Sequence, residues 1–279
     1  IDVVYSEDSQ RHLKLIKTID NKKVVEELNA PEPYFMALPN NLEQAKKDIL
    51  ELTYEFKDKQ TKVIRVEQVT KNFQNKETDF LKVVVNFPRE VPVIRETIRD
   101  LQSITEVYEA DIPYVFRSIL DNKIELYKDF KPKILAFDIE TTSDGSFPDP
   151  LTDKIVSISY YSKDFEKVTI IRDFEKKHKY INSVDSEKEL LKDFQETINK
   201  FEPDILTGYN SDIFDMWFIK ERASKNKIKL KLNPLNEELI YTRGARNAKP
   251  VKINGITHLD AYIFIRNALA PRLKTNSLS

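Results

Sequence analysis

The sequence predicts a mixed α/β protein, of the α+β kind, built from two domains. Short apolar strands alternate with amphipathic helical segments in both halves of the chain. Its 279 residues, 40% of them hydrophobic, are enough to bury two cores of ordinary size. A charged connector, DNKIELYKDFKPK, separates the two patterns. We therefore expect an N-terminal domain at residues 1–130 and a second domain at residues 131–279.

Six predicted elements make up the first domain, in the order strand, helix, strand, strand, helix, strand. The strands are predicted at YFMAL, KVIRVEQV, FLKVVVNF and ITEVYEA, and the helices at Asn41 to Tyr54 and at EVPVIRETIRDL. Pro92 fits the first turn of the second helix, where its missing N–H is not needed. This order predicts a ferredoxin-like βαββαβ unit. RNA-recognition modules share the order, but LKVVVNF lacks their aromatic, glycine-bearing motif.

Three predicted strands lead the second domain: the apolar run Ile134 to Phe137, KIVSISYY and KVTIIR. A helix then begins at a capping box formed by Ser186 and Glu189, and Pro203 closes it. A short strand, DILTGY, and another helix follow. By analogy of fold alone, this order is typical of a ribonuclease H-like domain with a mixed sheet.

Composition limits the kind of site that the chain can build. The sequence has no cysteine and three histidines, so disulfides and thiolate-bound zinc are excluded and hard ions are favoured. No apolar stretch approaches the ~20 residues that cross a bilayer, and the N-terminus lacks a signal-peptide pattern. We expect a cytoplasmic protein with no membrane partner. The chain begins at Ile1 and stops at RLKTNSLS without completing an element, so we expect it to be part of a longer protein.

Charge is distributed unevenly along the chain, although the net charge is only −1. From Met216 onward there are 13 lysines and arginines and four acids, a net charge of +9 that leaves −10 on the rest. Such asymmetry favours contact with a polyanion. On charge alone, a solvated lysine-rich surface is an equally good interpretation.

Two carboxylates end the first strand of the second domain. Asp138 and Glu140 project from one face of a strand while Ile139 points to the other. Carboxylates this close repel each other unless a cation lies between them, which favours Mg²⁺ or Mn²⁺. Asp215 lies near the start of the helix that follows the strand DILTGY, and it can face them if that strand neighbours the first one. Three such carboxylates can hold two ions for phosphodiester hydrolysis.

Simpler interpretations exist for the same residues. Asp138 and Glu140 could be a solvated strand end, and Asp215 could be an acid favoured by the helix macrodipole. Trp217 and Phe218 have helical spacing and are interpreted as core residues.

The stretch FDIETT, followed at this interval by GYNSDIFD, resembles the first and second exonuclease motifs of the family B DNA polymerases. Three further stretches look like archaeal members: FPREVPVIRETI, YEADIPYVFRSILDNKI and GITHLDAYIFIRNAL. Together these stretches span most of the chain, in the matching order. The chain is therefore identified as a member of this family, with its N-terminal domain and part of its proofreading 3′-to-5′ exonuclease domain.

The resemblance implies roles for individual residues. Asp138, Glu140 and Asp215 would be the catalytic residues and the ligands of two Mg²⁺ or Mn²⁺ ions. Asn210 and Phe214 would lie beside the 3′-terminal nucleotide, with Phe214 near its base. Stacking on an aromatic ring suits binding of single strands without sequence preference.

The basic region after Met216 would, on this resemblance, face DNA between the template and exonuclease paths. Arg243 and Arg246 are its candidate DNA-binding residues. The expected partners are a single-stranded 3′ end, the template strand, the remaining polymerase domains and, through a part outside this chain, a sliding clamp. Association with the nucleoid follows from these partners.

The family's third exonuclease motif, Tyr-x-x-x-Asp, and the polymerase motifs are missing from the sequence. Tyr160 to Asp164 has the pattern, but it lies between the first two motifs and is interpreted as a coincidence. Asp260, in HLDAY, is interpreted as structural. We expect the isolated chain to have little or no exonuclease activity. A freestanding exonuclease and a non-catalytic DNA-binding module with a nuclease fold are the alternatives.

Archaeal members also recognise uracil in the template through an N-terminal pocket. Small and aromatic walls would admit a flat base and exclude the methyl group of thymine. Packing between domains is the alternative role for these positions. The matching residues are Tyr5, Pro33, Tyr34, Val91, Ile112, Pro113, Tyr114 and Arg117.

Overall fold

Three strands precede the first predicted element. A computed structural model describes residues 2–8, 10–56, 59–125, 130–172, 178–241 and 250–268. The sheet order is β1-β2-β3, and Asp20 and Asn21 have positive φ in the turn between β2 and β3, as tight hairpins require. The strands are β1 (Asp2–Glu7), β2 (Arg11–Ile19) and β3 (Lys22–Leu28).

The next four long strands form an antiparallel sheet of order β7-β8-β4-β9, with one predicted helix after β4 and the other between β8 and β9. This is the strand order of the predicted ferredoxin-like unit. A small hairpin, β5 with β6, is inserted after the first helix, which therefore ends at Glu51 and not at the predicted Tyr54. The elements are β4 (Tyr34–Pro39), α1 (Leu42–Glu51), β5 (Thr53–Phe56), β6 (Lys59–Lys62), β7 (Arg65–Phe73), β8 (Lys76–Val84), a 3₁₀ turn (Pro88–Glu90), α2 (Val91–Arg99), β9 (Ile104–Tyr108) and α3 (Tyr114–Asp121).

The core of this sheet lies under its two helices. Ile49 of α1 and Ile94 and Ile98 of α2 are fully buried against Phe35 and Leu81. Asn41 caps α1, because its side-chain oxygen accepts a hydrogen bond from the backbone N–H of Gln44 at 3.1 Å.

A six-stranded mixed sheet follows, of order β13-β12-β11-β10-β14-β17. β11 is antiparallel to both of its neighbours, β10 and β12, and β14 and β17 run parallel to β10, as in the predicted ribonuclease H-like fold. Its elements are β10 (Ile134–Thr141), β11 (Ile155–Ser162), β12 (Phe165–Ile171), β13 (Ile181–Val184), α4 (Glu187–Phe201), β14 (Ile205–Gly208), α5 (Asp215–Lys225), β15 (Ile240–Tyr241), β16 (Val251–Lys252), β17 (Thr257–Asp260) and α6 (Ala261–Ala268).

The core of the mixed sheet comes from alternate residues of its central strands. Leu135, Phe137 and Ile139 of β10 are buried with Leu190 and Phe194 of α4. The predicted capping box begins α4: Ser186 Oγ accepts the backbone N–H of Glu189 at 3.3 Å.

The chain divides into two compact units. The N-terminal unit contains Val3–Lys14 and Glu27–Leu126, and the C-terminal unit contains Ile1–Asp2, Leu15–Glu26 and Tyr127–Ser279. Part of β2 and β3 thus belongs with the mixed sheet, whereas the sequence predicts a single boundary after residue 130. Within the described ranges, no helix is long and apolar enough to span a membrane.

Candidate active site

Strand β10 delivers two of the predicted carboxylates. Leu135, Phe137 and Ile139 point into the core, so Asp138 and Glu140 project from the opposite, exposed face. Their neighbours on β11 are small, because Asp138 lies opposite Ser159 and Glu140 lies opposite Ser157. The end of this strand therefore presents two acids opposite small side chains.

Asp215 is the first residue of α5 and is only 3% exposed. Its Oδ1 accepts a hydrogen bond from the backbone N–H of Ile139 at 3.2 Å. The pairing of β10 with β14 ends at Ala136 and Thr207, so Asp215 lies beyond the paired part of the two strands. This contact places Asp215 beside Asp138, as the sequence predicts.

The negative charges of these acids repel one another. Burial raises the pKa of Asp215 to about 7, with a further contribution from the charge of Asp138. Burial also raises the pKa of Asp138, to which the charge of Glu140 adds. Each acid holds its negative charge at a cost that a nearby cation would remove.

The donor set suits a hard divalent ion, because all three side chains offer carboxylate oxygens. Among the residues that the structure describes, however, no three acids or histidines lie close enough together to form a complete metal site. The structure thus brings Asp138 and Asp215 together, with Glu140 next to Asp138 on the strand.

The loop between β14 and α5 is fixed by a residue from the next strand. Asp260, at the end of β17, is 5% exposed and accepts backbone N–H groups from Asn210 at 2.9 Å and Asp212 at 3.1 Å. It also accepts the N–H of Tyr262 at 2.9 Å. These contacts agree with the structural role expected of Asp260, and they hold the backbone that leads into Asp215.

His258 supports the same loop, and the sequence did not single it out. Its Nδ1 lies 3.0 Å from Asp212 Oδ1 and its Nε2 lies 3.1 Å from Ser211 Oγ. The imidazole is buried, with 1% of the side chain exposed. A signal was available, because His258 and Asp260 are two residues apart in THLD, the sequence of β17, and residues at this spacing share one face of a strand.

Gly208 allows the loop to approach β10. A Cβ atom at this position would lie 2.7 Å from Ser211 Cβ and 3.1 Å from the Phe137 carbonyl oxygen. Any larger residue would therefore push the loop away from the strand that carries Asp138.

Two aromatic rings lie close to the carboxylates in sequence and pack on each other. Phe214 directly precedes Asp215, and its ring centroid lies 5.6 Å from that of Phe147 in an edge-to-face arrangement. Phe218 supports Phe214 from the helix at 5.4 Å. Phe147 is 77% exposed, which is unusual for a phenylalanine and is not predicted from the sequence. The sequence feature that could have indicated it is a single aromatic residue within the polar stretch SDGSFPDP.

A buried ion pair anchors the loop that carries Phe147. Arg222 donates to both carboxylate oxygens of Glu187, at 2.7 and 2.5 Å, and to the Pro150 carbonyl oxygen at 2.9 Å. Glu187 also accepts the backbone N–H of Ile155 at 2.9 Å, so both ends of the segment from Pro150 to Ile155 are held.

Seven of the eight predicted uracil-pocket residues line one cavity of about 370 Å³ in the N-terminal unit. The eighth, Tyr5, packs against the ring of Tyr114 with the centroids 4.9 Å apart. Arg117 lies over the Tyr34 ring at 4.5 Å and pairs with Glu109 at 2.8 Å. The seven are Pro33, Tyr34, Val91, Ile112, Pro113, Tyr114 and Arg117. The predicted DNA-binding residues Arg243 and Arg246 lie outside the described residues.

The model for the exonuclease domain of DNA polymerase family B matches residues 126–279, more than half of the chain. The chain belongs to the family B DNA polymerases. The predicted family and the predicted mixed fold are thereby confirmed.

Relatives within the family B polymerases come from archaea. The DNA polymerases of Thermococcus gorgonarius and Desulfurococcus sp. (strain Tok) are 30% and 33% identical to it, over 95% and 85% of this chain. The matches cover 34% and 30% of those proteins, so the chain spans about a third of their length. The solved family B polymerase of Pyrobaculum calidifontis shares its fold, with a TM-score of 0.71 at 24% identity over 96% of this chain and 37% of that one.

Proposed function

We propose that this chain supplies the N-terminal region and part of the proofreading nuclease of a DNA-directed DNA polymerase, and that the nuclease hydrolyses the 3′-terminal phosphodiester of DNA. The observation that carries the proposal is the contact of Asp215 with the strand that bears Asp138 and Glu140, in a chain matched by the family's exonuclease model. Its partners are a single-stranded 3′ end, the template strand and the remaining polymerase domains, with a sliding clamp bound elsewhere and a place at the nucleoid.

Each side chain has a distinct task in this proposal. Asp138, Glu140 and Asp215 would hold two Mg²⁺ or Mn²⁺ ions, which when bound activate water and stabilise the leaving oxygen. Phe147 and Phe214 would hold the terminal nucleotide by stacking on its base, which is independent of sequence. Asn210, whose backbone N–H is fixed by Asp260, would lie beside the same nucleotide. His258 and Asp260 act only through the loop that they fix.

Manganese binding tests this proposal without requiring turnover, since the isolated chain is expected to degrade DNA poorly. Titration with Mn²⁺, followed by electron paramagnetic resonance, should show binding that is weakened at least tenfold by Asp138→Ala and by Asp215→Ala. Asp164→Ala, which removes an exposed acid from the same unit, should leave binding unchanged. Equal Mn²⁺ affinity in all four proteins would refute the proposal and favour a non-catalytic DNA-binding module.

A separate assay distinguishes the freestanding exonuclease. Strong Mg²⁺-dependent degradation of single-stranded DNA by this chain, abolished by Asp138→Ala, would show that no further acid is needed.

We propose uracil recognition as a second function of the same chain. The cavity in the N-terminal unit supports it, because seven predicted residues line one space of a size that suits a small ligand. Fluorescence titration should show tighter binding of uracil-containing than thymine-containing single strands. Val91→Phe, which fills the cavity, should remove the difference, whereas Val93→Phe on the exposed part of the same helix should not. Equal affinities in the unaltered protein would leave domain packing as the role of these residues.

A further inference from the structure

A row of lysines follows helix α5. The chain turns at Asn226 and Lys227, where Lys227 has a positive φ of 58°, and beyond the turn Ile228, Leu230 and Leu232 pack against the core. Lys227 and Lys229 are exposed and Lys231 is half-buried; these three residues are called the lysine row below. Three positive charges therefore lie within five residues of the chain.

The backbone beneath the lysine row is held on both sides. The N–H of Ile228 donates to the Ala223 carbonyl oxygen at 2.8 Å. The N–H of Lys231 donates to Gln195 Oε1, and the Lys231 carbonyl accepts from Asn199, both at 2.8 Å. Because this backbone is already ordered, ligand binding would cost conformational entropy only in the lysine side chains.

A hollow of about 380 Å³ adjoins the lysine row. Lys220, Lys227 and Lys229 surround it, while Ile228, Leu230, Leu239 and Tyr241 supply apolar walls. The Lys220 ammonium lies 4.2 Å from the centroid of the Tyr241 ring, and the Tyr241 hydroxyl donates to the Met216 carbonyl oxygen. One cation thus lies over an aromatic ring and two more line the same hollow, a combination that single-stranded nucleic acid binding uses.

The charge of the row is only partly neutralised. Lys229 pairs with Glu238 at 2.6 Å, and both side chains are more than half exposed. Within the ranges that the structure describes, neither Lys227 nor Lys231 has a carboxylate within ion-pair distance. Three cations within five residues fit a ligand that carries several negative charges better than they fit a single small anion.

We propose that the lysine row binds the phosphate backbone of single-stranded DNA at a surface separate from the carboxylates of the active site. The choice of DNA as the polyanion rests on the proposed function. The contacts are to phosphates, so they carry no sequence preference. The strand would cross Lys227, Lys229 and Lys231 in order, with a base able to reach the hollow beside Tyr241.

Salt dependence of binding tests this proposal. Fluorescence anisotropy of a labelled thymidine oligonucleotide is measured in EDTA, so that no cleavage or uracil recognition contributes. The triple variant Lys227→Gln, Lys229→Gln, Lys231→Gln should reduce the slope of log K against log salt by about 2, since each phosphate contact to a single strand contributes about 0.7. A matched triple variant in the N-terminal unit, with the same loss of charge, should keep the slope: Lys47→Gln, Lys62→Gln, Lys76→Gln.

Glu238→Gln provides a test in the opposite direction, which a folding defect cannot imitate. Removing the carboxylate that competes for Lys229 should tighten binding at low salt by about twofold or more, and the gain should vanish at high salt. The lysine-row variant should keep the Mn²⁺ affinity that Asp138→Ala is expected to lose, so the two proposals can fail separately. An unchanged slope in the lysine-row variant, or equal binding of a poly-glutamate peptide of the same charge, would overturn the proposal.

Discussion

The ammonium group of Lys23 lies 2.7 Å from Oδ1 of Asp204, although the two residues are 181 positions apart in the chain. The same oxygen accepts the hydroxyl of Thr18 at 2.7 Å, and Oδ2 accepts the backbone N–H of Lys133 at 2.9 Å. Only 6% of the Lys23 side chain and 12% of the Asp204 side chain are exposed. One carboxylate therefore joins the β2–β3 hairpin to the start of β10 and the start of β14.

Asp204→Asn should destabilise the C-terminal unit by about 3 kcal/mol, because it leaves the Lys23 charge buried without its partner. Burial opposes ionisation of Asp204, but hydrogen bonds from Lys133, Lys23 and Thr18 outweigh it and lower the pKa. A lowered pKa in the folded state gives stability that is complete above the unfolded value near 4 and is lost as the pH falls through the folded value.

Urea denaturation at pH 7 and at pH 3 measures both effects. The difference in the free energy of unfolding between the unaltered protein and Asp204→Asn should be smaller at pH 3 than at pH 7. The exposed control Asp164→Asn should unfold with the same free energy as the unaltered protein at both pH values. A gap that does not change with pH would contradict the assigned role of the Asp204 charge.

Asp215→Asn should stabilise the chain in EDTA at pH 8 by at least about 1 kcal/mol. The substitution removes a buried charge that faces Asp138 and keeps an oxygen that can accept the Ile139 N–H. Thermal unfolding measures the gain, and added Mn²⁺ should stabilise the unaltered protein more than the variant. If the variant melts lower than the unaltered protein in EDTA, the acids are not under mutual repulsion.

Gly208→Ala should destabilise the C-terminal unit by about 1–3 kcal/mol, because its Cβ would overlap Ser211 Cβ. The double variant Gly208→Ala, Ser211→Gly removes the overlapping atom. A double-mutant cycle measured by urea denaturation should then give a favourable coupling between the two sites. If the effects of the two substitutions on the free energy of unfolding simply add, the close approach of residues 208 and 211 does not constrain the loop.

Phe147→Ala should change stability by less than about 0.5 kcal/mol, since the ring is mostly exposed. It should weaken binding of a single-stranded 3′ end by about 1–3 kcal/mol if the ring stacks on a base. Anisotropy with a 3′-labelled oligonucleotide measures the affinity. Leu151→Ala, which removes an exposed side chain from the same loop, serves as the control, and equal loss in both variants would exclude stacking by Phe147.

Asp138 and Glu140 could be predicted because the apolar residues that define their strand are adjacent to them in the sequence. An apolar run that ends in Asp138 and Glu140 indicates a strand end, and the alternation of strand residues decides which side chains share a face. Likewise, the order of elements predicts the four-stranded sheet and four of the six strands of the mixed sheet, since short connections and apolar periodicity leave few topologies.

The supporting contacts were not predictable in the same way. The hydrogen bonds that Asp260 accepts from the loop at Asn210, and the ion pair of Lys23 with Asp204, join residues about 50 and 180 positions apart. Nothing in the local pattern of Lys23 distinguishes it from an ordinary polar position. The exposed ring of Phe147 was missed for the opposite reason, because an aromatic residue is expected inside the protein.

The hydrogen bonds of Asp260 to the loop before α5 also govern when the site can form during synthesis. A growing chain that has emerged only as far as β16 already carries Asp138, Glu140 and Asp215. It does not yet carry the acceptor that fixes the loop between β14 and α5. Until β17 has joined the sheet, the ribosome-bound chain has its three acids but lacks the residue that orders the loop beside them.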